Sequence, residues 1–169
     1  MQTQQIGTEL PLWVPGLMLS TVINKNDVDL DRTMSFSLAP LVARFQTKLG
    51  LSQEAAEQLF TDTKRFLYLC AVSDKPIAPN ETLDFGWHQF LLYSEEYADF
   101  CMQNLGRFIH HRPVRHDSTT PKGEMSRRAI VLAQTVFGGT LSPNWHYPLL
   151  ANHTDPCADS CGCTAACND

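Results

Sequence analysis

No stretch of this 169-residue sequence approaches the ~18 consecutive apolar residues of a membrane span. Basic residues are in deficit, with 13 Lys and Arg against 18 Asp and Glu and a net charge of -5. Apart from a short run between Arg107 and Arg115 they are scattered, so no phosphate-binding stripe forms. Neither nucleic acid nor a membrane is an expected partner. The first residues, MQTQQIGTELPLWVPG, lack the basic start and long apolar run of a secretory signal, which makes the cytoplasm the expected address. Enzyme signatures are missing too: there is no Gly-x-Ser-x-Gly elbow, no phosphate-binding glycine-rich loop and no His-Glu-x-x-His. No reaction is assigned on this basis, and whether the chain is an enzyme stays open. Internal repeats and alternating strand patterns are also lacking.

What is present reads as one globular unit. Hydrophobic residues make up 43% of the chain and charged residues 18%, a balance that supports a sizeable core. Pro11, Pro15 and Gly16 break any helix early on, so residues 1–33 read as an irregular N-terminal arm. From Phe36 to Leu49 the positions Leu38, Leu41, Val42, Phe45 and Leu49 recur at three- and four-residue spacing, with a stop at Gly50. Ser52 caps a second helix carrying Leu59, Phe60, Phe66, Leu67 and Cys70 inward. A third is expected from about Leu83 to Leu105, with Trp87, Phe90, Leu91, Tyr97 and Cys101 facing in. Thr120-Pro121 opens a fourth, which runs through Val136 and Phe137 to Gly138-Gly139. The expected fold is mainly α: a compact four-helix domain over residues 34–140, and a C-terminal extension over 141–169.

The polar residues that can carry chemistry cluster in and after the third helix. Asp84 and His88 are four apart and share a helix face. A carboxylate there can be a metal co-ligand or can hold the imidazole in place. His110 and His111 follow a turn at Gly106, and being adjacent they point differently, so one of them is expected to meet His88. The plainer reading is that His88 is a core-edge histidine bonded to backbone, His111 a solvated one, and Asp84 a carboxylate favouring a helix start.

Four of the six cysteines fall in the last thirteen residues, as Cys157-x3-Cys161-x-Cys163-x3-Cys167. This is not the paired C-x2-C spacing of a zinc ribbon. A Cys-x-Cys pair still chelates a soft ion, and thiolates favour zinc or cuprous copper, with His146 and His153 close by to add nitrogen donors. Disulfide or redox chemistry and an enzymatically modified end are the alternatives, the former disfavoured in a reducing compartment. Leu141, Trp145, Tyr147, Leu149 and Leu150 offer apolar anchors just ahead of the tail. Cys70 and Cys101, on apolar helix faces, read as core residues.

The segments RFLYLCAVSD and PIAPNETLDFGWHQFLLYSEEYADFCMQNLGRFIHHRP together resemble the bacterial relatives of the glycine-rich-domain-containing-protein-like family. The resembling positions are Asp84, Trp87, His88, Tyr97, Phe100, Cys101, Gly106, Phe108, Ile109, His110, His111 and Pro113. The stretch covers roughly residues 34–140, and a cysteine-rich tail after a tryptophan is a further similarity. The long glycine-rich region of the plant members is not found here. The resemblance implies a helical fold and gives weight to the histidine positions, but implies no reaction.

Three functions follow, in order of preference. The first is a small metal-binding protein using Asp84, His88 and His110 or His111, joined by thiolates from Cys157, Cys161, Cys163 and Cys167, with zinc as the expected ion and copper as the alternative. The second is a folded leader whose tail is the substrate of a peptide-modifying partner. The third is an interaction module for another protein, in which the histidine motif is structural.

Overall fold

The carboxylate of Asp29 accepts the Arg32 backbone N–H at 3.0 Å and thereby caps a short helix, α1 (Leu30–Ser35), that the sequence pattern had left inside the arm. The computed structural model describes residues 28–112, 121 and 123–146. After α1 it contains α2 (Ala39–Leu49), α3 (Gln53–Val72), α4 (Glu81–Leu91), α5 (Ser94–Asn104), α6 (Glu124–Phe137) and a 3-10 turn at Pro143–Trp145. The fold is mainly α, with no strand among the described residues. None of the described helices is long and apolar enough to cross a membrane. The expected arm, up to residue 27, and the cysteine-rich tail lie outside the described residues.

Helix ends follow the local chemistry. Gly50 takes φ 64°, a left-handed value that favours glycine, and its N–H donates to Gln46 O to close α2. Ser52 Oγ accepts from Ala55 N at 3.2 Å and starts α3. The fourth expected helix, α6, begins three residues beyond Pro121, whose carbonyl accepts the Glu124 N–H at 3.0 Å. The long third helix is in fact two. Tyr93 N donates to Phe90 O, tightening the end of α4, while the Tyr93 hydroxyl reaches across to Pro40 O on α2 at 3.1 Å. This break redirects the chain so that α5 buries Tyr97, Phe100 and Cys101.

The core is organised around α3. Leu59, Phe66, Leu67, Trp87 and Phe90 are buried as expected, Leu91 and Phe137 pack at its margin, and Val136 instead faces solvent. Phe60 and Phe90 meet edge-on at 5.4 Å, and Phe36 and Phe100 extend the aromatic cluster. Cys101 is a buried free thiol, and Cys70 is equally buried.

Two charged side chains on α3 are almost fully enclosed. The Lys64 ammonium donates to Met34 O and Phe36 O, both at 2.6 Å, satisfying carbonyls at the end of α1, and burial lowers its pKa to about 8. Asp62 accepts from Ser142 Oγ, Asn144 Nδ2 and Trp145 Nε1 at 2.6, 2.9 and 3.0 Å. It thereby clasps the 3-10 turn onto α3. Trp145 is the anchor expected ahead of the tail, and it is 1% exposed.

Helices α3 and α4 cross closely at Gly86. A Cβ there would stand 2.2 Å from Thr63 Oγ1, which is itself buried and bonded to Leu59 O. Gly86→Ala is therefore expected to destabilise the fold by about 1–3 kcal/mol, the usual cost of overpacking, despite alanine's better helix propensity. Urea denaturation measures it, and a gain in stability would contradict this packing.

Candidate metal centre

Two elements bring the polar residues together. Asn80 caps α4 through its side-chain oxygen, which accepts the Leu83 N–H at 3.0 Å, and so fixes where the helix begins. Asp84 falls in the first turn and His88 one turn later, on the same face. The second element is the stretch after α5. The chain turns at Gly106 and runs on without regular structure, burying Ile109 and exposing His110. His111 then returns to the side on which Ile109 lies.

His111 is the histidine that meets His88. Its Nε2 stands 2.9 Å from Asp84 Oδ1, while His88 Nδ1 stands 3.2 Å from Asp84 Oδ2. The two imidazole rings lie 4.2 Å apart, centroid to centroid. One donor atom from each of Asp84, His88 and His111 falls within 4.8 Å of the other two. The His110 ring instead lies tilted against Phe108, 4.8 Å between centroids, and does not join the group. His146, at the exposed end of the 3-10 turn, stays outside it as well. His153, Cys157, Cys161, Cys163 and Cys167 lie outside the described residues.

The centre is graded in depth. The His111 side chain is 9% exposed, Asp84 15% and His88 34%, so the group opens to solvent on the His88 side. Burial pushes the Asp84 carboxyl upward, but hydrogen bonds from His111 and His88, with their charges, outweigh it. The net effect holds the group below the usual carboxylate range.

Beneath the histidines lies a support whose role sequence spacing did not reveal. The Trp87 indole packs against the His111 ring at 4.4 Å. Its Nε1–H donates to the Tyr97 hydroxyl at 2.9 Å, and that hydroxyl donates to Ile109 O at 2.6 Å. Trp87 and Tyr97 were legible as inward residues, but nothing in their spacing indicates that their polar ends meet.

The UCP032817-like family matches residues 31–133, a stretch that contains all three donors. The match spans more than half of the chain, and the chain belongs to this family. No curated protein and no solved structure matches it.

Proposed function

We propose that this member of the UCP032817-like family is a metal-binding protein whose ion sits between Asp84, His88 and His111. The observation that carries the reading is the convergence of three potential ligand atoms within 4.8 Å on a partly enclosed face. An ion bonded at about 2 Å to each donor draws them to roughly 3.3 Å apart, so ligation needs shifts on the order of an ångström. Two imidazoles and a carboxylate are a donor set found with zinc, the ion favoured here, and also with non-haem iron. The resemblance of the Asp84–His111 region to the glycine-rich-domain-containing-protein-like family adds weight to these positions.

The sequence offers further donors in the tail. A thiolate from Cys157, Cys161, Cys163 or Cys167 completing the shell is part of this reading, and thiolate ligation would extend the choice to cuprous copper. Elemental analysis for zinc, copper and iron on protein purified without an affinity tag tests the proposal. The expected result is about one equivalent of metal per chain. Replacing all four tail cysteines with serine is expected to weaken binding without abolishing it. Wild-type protein that carries no metal and takes up none on titration would sink the reading, leaving the histidine motif with a structural role.

A further inference from the structure

The segment that delivers His111 has no helix of its own to hold it, yet a ligand must be aimed to within a fraction of an ångström. Three bonds supply the hold. Trp87, the residue before His88 on α4, donates to the Tyr97 hydroxyl on α5. The hydroxyl donates in turn to the Ile109 carbonyl, two residues before His111. His111 then closes the circuit by returning to Asp84. Both Trp87 and Tyr97 are buried, at 0% and 1% exposure, so neither bond is exchanged with water. Burial pushes the Tyr97 pKa well above its ordinary value and keeps the group a phenol, able to donate.

We infer that Tyr97 is a positioning residue for the metal centre, its hydroxyl setting where His111 stands relative to Asp84 and His88. The inference rests on the metal-binding reading and extends it from the ligands to the side chain that places one of them. Outer partners of metal ligands act in this way: they do not touch the ion, but they fix the orientation of a group that does.

Tyr97→Phe isolates the effect. The ring is retained, with its edge-on contacts to Phe90 at 5.1 Å and Phe108 at 5.2 Å, while the hydroxyl link between α4, α5 and the Ile109 carbonyl is lost. Zinc affinity should fall by about 10- to 100-fold, the range typical of lost outer-shell partners. The visible absorption of the cobalt-loaded variant should change as His111 leaves its ligating position. Val42→Ala, a core truncation on α2, is the control. It should lower the melting temperature while leaving zinc affinity within twofold of wild type. Should Tyr97→Phe fail to fold, Trp87→Phe, which removes the indole donor to the same hydroxyl, carries the test and is expected to weaken zinc binding in the same direction.

Wild-type protein that takes up no zinc would overturn the metal reading itself, and this inference with it. Wild type that binds zinc while Tyr97→Phe binds it equally well, with an unchanged cobalt spectrum, would overturn the positioning role alone.

Discussion

On the metal-binding reading, Asp84→Asn is expected to abolish tight zinc uptake. Asparagine preserves the shape and one acceptor oxygen, but removes the negative charge that an ion and two imidazoles share. Affinity for zinc should then fall by more than the roughly 100-fold upper range seen for outer-shell losses, because the proposed ligand itself is changed. The same variant has a second signature, in the metal-free protein. The folded Asp84 carboxyl is held below its ordinary range, so the unfolded chain takes up a proton there first as the pH falls. The stability that Asp84 contributes is therefore fully present above about pH 4 and is lost as the pH drops through the depressed folded value. Denaturation curves of wild type and Asp84→Asn should diverge at neutral pH and converge in acid. A difference in stability that stays constant down to about pH 2 would count against the hydrogen-bonded carboxylate.

The largest effect on the fold itself is expected from Asp62→Ala. This substitution removes the acceptor for Ser142, Asn144 and Trp145 together, along with that for Gln58 Nε2 at 3.0 Å. Donors left buried without a partner cost roughly 1–3 kcal/mol each, and partial relaxation of the turn toward water limits the total. A loss of about 3–5 kcal/mol is expected, in line with breaking other buried charged networks. Trp145 should become hydrated, shifting part of the fluorescence to longer wavelength as the 3-10 turn detaches. Asp62→Asn, which keeps one acceptor, should lose less. The clasp also reaches the candidate centre, since Asn144 O accepts from the side chain of Asn80, the residue that caps α4. A loss of under about 1 kcal/mol for Asp62→Ala would show that water substitutes readily for the carboxylate.

The parts of this structure that rest on local chemistry were legible in the sequence. Periodicity located α2 and α3 and the inward side chains of α4, and Gly50 and Ser52 marked their boundary. The break between α4 and α5 was not legible, because no glycine or proline marks it. It is made by Tyr93 bonding to α2, a contact across more than fifty residues of chain. The cap of α1 was present as Asp29, but Pro11, Pro15 and Gly16 led the expected arm to be drawn as far as residue 33. Burial of Asp62 and Lys64 ran against the expectation that charged helix residues are solvated.

At the candidate centre, the helical spacing of Asp84 and His88 was sufficient to pair them. The choice between His110 and His111 needed one tertiary fact, that Ile109 points into the core. Once that is known, side-chain alternation turns His110 outward and His111 inward.

Asp84 gives one oxygen to each imidazole, and a carboxylate only accepts, so without an ion a neutral ring carries its proton on the facing nitrogen: Nδ1 of His88 and Nε2 of His111. An ion drawn into the group needs lone pairs at those same two atoms. On the metal-binding reading, the arrival of an ion would send the proton of each neutral ring to its far side, to Nε2 of His88 and Nδ1 of His111. Nitrogen-15 shifts would register this migration as an exchange of protonated and unprotonated signals within each ring. On that reading, the metal-free and loaded states would differ in where two hydrogens reside as well as in shifts of about an ångström among the donor atoms.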